Sequence, residues 1–221
     1  MYLNIKVITL PMSNILVFCA HSDDEAVGMG GTIQKLVEEG KDVVKIVFSY
    51  GESSHPHFRE KVVINMRKEE TSNASKFLGI KHTIFLGLED MKVQDELKNK
   101  KILAEIKELI EKYKPSQIYI PTPKDPHPDH RAVNKAILKI VDSLEKKQEV
   151  YEFEVWNLTD ESKPMLFIDI TPYFWKKKQY MKLFTTQWQY MYALLLPVYF
   201  RAIKYGLKIG CKYAERFYRV R

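Results

Sequence analysis

The chain has 221 residues, 45% hydrophobic and 29% charged, with 35 Lys and Arg against 28 Asp and Glu for a formal charge of +7. That length suits one domain, and the apolar share can fill a packed core, which excludes disorder as the dominant state. The two cysteines, Cys19 and Cys211, can build neither a disulfide framework nor a cysteine-based zinc site, and they suit a reducing compartment.

Met1–Met12 carries one early lysine and too short an apolar stretch for a secretory signal. No run of about 18 apolar residues occurs. The richest stretch, Tyr190–Phe200, is interrupted by Pro197, so no spanning helix is predicted and a cytoplasmic location is expected. Ile15–Ala20 is a continuous, β-branched apolar run, the mark of a strand buried on both faces. After the polar stretch His21–Glu25, helical spacing runs from Ala26 to Glu39 and stops at Gly40. Asp42–Phe48 predicts a second strand, and Ser49–His57 is a loop rich in Gly, Ser and Pro.

Phe58–Leu78 is a long helical pattern ending at Gly79, followed by a short strand at Thr83–Leu86. Leu97–Tyr113 is helical and stopped by Pro115, and Gln117–Ile120 predicts a fourth strand. A polar loop spans Pro121–His130 before a helix at Ala132–Leu144. This alternation implies parallel strands joined by right-handed crossovers. The expected fold is a doubly wound, mostly parallel, Rossmann-like α/β sheet with helices on both faces.

Beyond residue 148 the pattern changes to strands at Glu149–Trp156 and Met165–Ile170, a helix at Pro172–Thr185, and a basic, amphipathic tail at Leu194–Arg221. We read residues 1–221 as a single domain, with an α/β core at 13–148 and a C-terminal α+β extension at 149–221.

In such sheets ligands bind beyond the carboxyl ends of the strands. The two most polar clusters, His21–Glu25 and Asp125–His130, each follow a predicted strand and therefore share one edge. The first puts three carboxylates beside one imidazole, a repulsive arrangement unless a cation neutralises it. The second adds two imidazoles and two carboxylates in a proline-stiffened loop. Either cluster alone has a plain reading as a helix cap or a solvated turn. Together they suit a divalent metal held by imidazole and carboxylate, with a position open for water.

His21-Ser22-Asp23-Asp24-Glu25 with His127-Pro128-Asp129-His130 resembles the paired signature of the LmbE/PIG-L superfamily of zinc-dependent de-N-acetylases. The superfamily more commonly has Pro where Ser22 stands; the Ser form is similar to archaeal chitin-disaccharide deacetylases. Further similar blocks are Gly51-Glu52, Arg67 through Glu70 and Ala74 to Gly79, Leu86–Asp90 and Tyr213–Phe217. The resemblance implies zinc bound by His21, Asp24 and His130, with Asp23 as general base. It implies a cationic His127 facing the developing oxyanion, and Asp129 orienting an imidazole. It also implies Arg67, Glu52 and Asp90 near the sugar, and Asp125 at the substrate entrance, where some relatives carry a mobile Tyr. Arg67 has a plain alternative as a helix-surface charge paired with Glu70.

The resemblance thus predicts removal of acetyl from an N-acetylglucosamine-containing sugar or glycoconjugate. His21-x-Asp23 with the distant His130 also matches the two-His, one-carboxylate ligands of a non-haem iron oxygenase, although alternating strands and helices argue against that. A third reading is a basic membrane- or RNA-binding protein with a vestigial site. The expected partner is a small amino-sugar conjugate, not nucleic acid, and the family implies a homo-oligomer, a trimer or hexamer. The basic C-terminus suits peripheral membrane contact, but a solvated helix face is the simpler reading. The aromatic residues Trp175, Trp188, Tyr190, Tyr192, Tyr199 and Phe200 are read first as core or subunit interface, and second as a wall that stacks on a sugar. His55 and His57 are assigned to the rim or surface, and Cys19 to a strand interior.

Overall fold

The computed structural model describes residues 14–54, 57, 59–146, 148–156 and 162–221. Met1–Met12, His55 and Phe58 lie outside the described residues. The elements in chain order are β1 (Asn14–Cys19), α1 (Asp24–Glu38), β2 (Asp42–Ser49), α2 (Glu60–Leu78), β3 (His82–Leu88), α3 (Val93–Glu96), α4 (Lys100–Tyr113) and β4 (Gln117–Pro121). They continue with α5 (Pro128–Asp142), β5 (Glu149–Phe153), β6 (Met165–Asp169), α6 (Phe174–Met181), α7 (Trp188–Ile209) and β7 (Ala214–Arg219).

The strands form one seven-stranded sheet in the order β3-β2-β1-β4-β5-β7-β6. The first five are parallel, while β7 runs antiparallel to both β5 and β6. This is the predicted doubly wound fold, and the chain reverses its winding direction between β1 and β4.

The continuous apolar run of β1 has a direct structural cause. Successive side chains of a strand point to opposite faces, so a strand covered on both sides must be apolar at every position. Ile15, Val17 and Cys19 enter a core with α1, α2 and α7, whereas Leu16, Phe18 and Ala20 enter one with α4 and α5. Each fully buried side chain of this size contributes roughly 1.5–3 kcal/mol, so β1 anchors both layers.

Three local expectations shift. The helix predicted over Leu97–Tyr113 starts only at Lys100, where the Asn99 side chain caps α4 by accepting from Lys101 N at 3.0 Å, and the separate short α3 precedes it. Helix α5 starts at Pro128 rather than Ala132, with His127 as its N-cap and Pro128 in the first turn, where a missing N–H costs nothing. Pro197 does not end the C-terminal helix, which runs unbroken from Trp188 to Ile209.

The C-terminal segment is tied into α1. Backbone angles at Met29 (φ −148°, ψ 19°) break that helix and leave the amides that follow without partners. Glu215 of β7 caps them, accepting from Gly31 N at 3.1 Å and Thr32 N at 2.7 Å. Lys177 of α6 donates to Glu215 Oε1 at 2.6 Å and to Val27 O at 2.8 Å, closing a buried network. The Tyr213–Phe217 block therefore has a structural role in supporting the helix that begins at the site.

Candidate active site

Helices α1 and α5 begin side by side where the winding reverses, and their first turns carry both polar clusters. Helix N-termini favour negative charge, and Asp24 and Asp129 stand in these first turns. Asp24 Oδ1 lies 3.1 Å from His130 Nε2 and 3.9 Å from His21 Nδ1. Asp24 Oδ2 accepts from His21 N at 3.0 Å, fixing the turn.

The outward ring nitrogens face other carboxylates. His21 Nε2 lies 3.1 Å from Asp90 and 3.5 Å from Asp129, and His130 Nδ1 lies 2.9 Å from Asp125. Carboxylates placed in this way set the tautomer and raise the basicity of an imidazole that binds a metal through its other nitrogen. Ring nitrogens of His21, His127 and His130 come within 4.8 Å of one another, as do ligand atoms of His21, Asp90, His127 and Asp129. This donor set, imidazole and carboxylate with an adjoining cavity, fits a divalent ion of the zinc type.

The protonation states follow from the same contacts. Burial opposes a charge on His21, but Asp129, Asp90 and Asp24 outweigh it and push the imidazole up to about 10. Burial likewise opposes charge on His130, and Asp24 and Asp125 push it up to about 9. Burial would raise Asp24, yet His130 and His21 hold it well below the usual carboxylate range. His127 moves the other way: burial and the charges of His21 and His130 lower it. Its Nδ1 accepts from Asp129 N at 3.2 Å, which leaves the proton of the neutral ring on Nε2. With Nδ1 accepting from the backbone, His127 is arranged as a neutral ring, where the resemblance implied a cationic one.

The three adjacent carboxylates do not share one cation. Glu25 turns away from the cavity into the core, where Lys45 Nζ donates to it at 2.6 Å and Tyr180 donates through its hydroxyl. Lys45 also donates to Ser22 O at 3.2 Å, which fixes the backbone just before Asp23. Asp23 Oδ2 lies 3.9 Å from Arg67 Nη1, so only Asp24 is left to the imidazoles. Sequence reasoning assigned Glu25 no separate role and missed Lys45 and Tyr180. The one available signal was a lysine inside an otherwise apolar strand.

These groups line a cavity of about 300 Å³ with Asp23, Asp24, His21, His127, His130, Asp90 and Arg67 on its polar side. Its apolar side comes from the C-terminal segment, through Val155, Trp156, Tyr190, Met191 and Leu194. Of the C-terminal aromatics singled out in the sequence, Tyr190 alone lines it. Trp156 and Gln187, which no motif marked, do so as well.

Arg67 is buried at 2% exposure, and its Nε and Nη1 have no hydrogen-bond partner. The alternative pairing with Glu70 does not form, because Glu70 instead accepts from Thr186 N at 2.7 Å. Gly51 (φ +70°) makes room for the guanidinium: a Cβ there would lie 2.6 Å from Arg67 Nη2.

Two other predicted substrate residues sit behind the wall. Glu52 accepts from Asp90 N at 2.8 Å and from Ser49 Oγ at 3.2 Å. Asp125 is buried behind His130, accepting from His127 N at 2.9 Å and Trp156 N at 3.3 Å, instead of standing at the entrance. Asp129 accepts from Met91 N at 2.9 Å and faces His21. His57 is exposed, and Cys19 is buried with Sγ 3.3 Å from Glu25.

The PIG-L family model, described as GlcNAc-PI de-N-acetylase, matches residues 16–141, more than half of the chain. The chain belongs to the PIG-L family. A Bacillus cereus relative named "Probable N-acetyl-alpha-D-glucosaminyl L-malate deacetylase 2" is 29% identical over 142 residues. That match covers 61% of this chain and 64% of the relative, less than two thirds of its length. The diacetylchitobiose deacetylase of Thermococcus kodakarensis is 26% identical over 223 residues, covering 92% of this chain and 82% of that one. Among solved structures, the N,N′-diacetylchitobiose deacetylase of Pyrococcus horikoshii superposes with a TM-score of 0.82 at 19% identity, covering 95% of this chain and 84% of that one. At that identity the superposition establishes the PIG-L fold alone. The matched residues 16–141 include both strand-end loops, where the His, Asp and Arg constellation lies.

Proposed function

We propose that the protein is a zinc-dependent hydrolase that removes the N-acetyl group from an N-acetylglucosamine-containing sugar or glycoconjugate, releasing acetate and a free amine. The observation that carries this reading is the convergence of His21 Nδ1 and His130 Nε2 on Asp24 Oδ1, with carboxylates on both outward ring nitrogens. The substrate class comes from the relatives, two of which are named for deacetylation of N-acetylglucosaminyl malate and diacetylchitobiose.

In this reading His21, Asp24 and His130 hold the ion, which when bound supplies Lewis acidity and lowers the pKa of water at the site toward about 7. Asp23 lines the cavity beside Asp24 and takes the proton from the attacking water as general base. His127 offers its Nε2 proton to the carbonyl oxygen as negative charge develops there. Asp129 and Asp90 hold His21 in place, Asp125 holds His130, and Glu52 braces the loop that carries Asp90. Arg67, which lines the cavity, supplies the cation for sugar hydroxyls or an acidic aglycone.

The test is acetate release from N-acetylglucosamine, diacetylchitobiose and N-acetylglucosaminyl conjugates of malate and inositol, with zinc present. Release from at least one, lost in Asp23→Ala, is expected. No release from any by metal-loaded protein, or full activity in Asp23→Ala, overturns the reading. An iron oxygenase would instead require oxygen.

A further inference from the structure

Helix α7 has a reversed polarity on one side. Its inner face packs Met191, Leu194, Val198, Ala202 and Tyr205 into the core, as a surface helix should. The outer face of such a helix is normally polar. Here it carries Trp188, Tyr192, Leu196, Phe200 and Leu207, exposed by 56%, 58%, 66%, 65% and 76%. Their spacing keeps them on one side of the helix, so they form a stripe and not scattered apolar residues. Trp175, on α6, is exposed by 65% as well.

Charge is distributed with the same bias. No Asp or Glu occurs between Asp169 and Glu215, whereas that stretch holds eight Lys and Arg. The rest of the chain carries 27 Lys and Arg against 28 Asp and Glu, so the whole positive excess lies in this segment. Lys204 and Lys208 are exposed on α7 itself, and Lys182 and Lys212 are exposed on either side of it.

We propose that the outer face of α7 docks on an anionic phospholipid bilayer, lying in its interface without crossing it. Tryptophan, tyrosine and phenylalanine suit the headgroup boundary, and lysines beside an apolar stripe keep their charges at the phosphate level. Among the described residues no helix is long and apolar enough to span a membrane. A second copy related by a two-fold axis is the weaker occupant, because that interface would set this acid-free, lysine-rich segment against itself. An anionic surface complements both the stripe and the charge. Tyr190, Met191 and Leu194 of the same helix line the catalytic cavity, which docking would place beside the headgroups. That orientation rests on the proposed function; the docking does not.

Sedimentation with vesicles tests it independently of activity. The full chain should co-sediment with vesicles of equal parts phosphatidylglycerol and phosphatidylcholine at low salt, and far less with phosphatidylcholine alone. Lys204→Gln and Lys208→Gln should each weaken partitioning about fivefold. The double substitution Leu196→Glu, Phe200→Glu should abolish it while leaving the melting temperature unchanged, since both side chains face solvent. Wild-type protein left in the supernatant at low salt, or a double variant that still sediments, overturns the proposal. So does a lipid-free oligomer of any size in sedimentation velocity that the double variant dissociates, because the face then belongs to another copy.

Discussion

His130 Nε2 sits 3.1 Å from Asp24 Oδ1, although one belongs to the first turn of α5 and the other to the first turn of α1. The two strands that precede those helices are neighbours in the sheet, and their side-by-side ends bring the two turns together. His21 completes the group, and Asp125, Asp90 and Asp129 hold the two imidazoles from outside.

Asp23 and His130 should separate catalysis from metal binding. Asp23→Ala is expected to keep its metal while turnover falls roughly a hundred- to ten-thousand-fold, the usual contribution of a general base. His130→Ala should lose the metal itself. Elemental analysis beside acetate release distinguishes the two, and an Asp23→Ala protein without metal would move Asp23 into the ligand set.

The carboxylate behind His130 should matter without touching substrate. Asp125→Asn can keep the oxygen that accepts from His127 N, but it gives up the one that accepts from Trp156 N and removes the charge 2.9 Å from His130 Nδ1. Metal affinity, measured by chelator competition, should fall about 10- to 100-fold. Unchanged affinity would show that His130 needs no such support.

Arg67→Lys keeps the charge but cannot present two donors from a planar fork. Hydrogen bonds to charged groups contribute about 1.5–3 kcal/mol, so kcat/KM should fall about ten- to hundredfold, mainly through KM. A loss confined to kcat would instead tie Arg67 to Asp23, 3.9 Å away.

Glu25→Gln should harm stability and spare the metal site. It leaves Lys45 charged and fully buried without its carboxylate, at a cost of about 3–5 kcal/mol by denaturant unfolding. Adding Lys45→Met should recover part of this, because a buried pair replaced by apolar groups is often neutral. Metal content in the folded Glu25→Gln protein should match wild type; loss of the metal would make Glu25 a ligand.

Chelation should lower both activity and thermal stability, and zinc should restore both. A metal at a thousand times its dissociation constant stabilises a fold by about 4 kcal/mol, which scanning calorimetry resolves easily. The restored activity should be the same with and without oxygen, which sets hydrolysis apart from the iron-oxygenase reading.

Strands β1 and β4 were legible because burial on two faces demands apolar runs, and those at Ile15–Ala20 and Ile118–Ile120 left no other role, whereas β2 carries Lys45, β5 carries Glu152 and β3 is only half-buried. Less of the C-terminal third could be read. A basic, aromatic segment fits a solvated tail equally well until it is paired, and what made it helix α7 and strand β7 is contact with α1, β5 and β6. The start of α5 was misplaced because His127-Pro128-Asp129-His130 has the composition of a turn, and only the cap formed by His127 shows where the helix begins.

By itself the amino-acid order determined that two polar clusters end neighbouring strands, and that they hold the residue types a divalent metal needs. The tertiary structure decided which carboxylate answers which cation: Glu25 to Lys45, Asp23 to Arg67, and Asp24 to the two histidines. Electrostatic attraction depends on separation and burial, and both arise only when segments far apart in the chain pack together. Three adjacent acids in one short turn look identical on paper, and folding gave each a different neighbour.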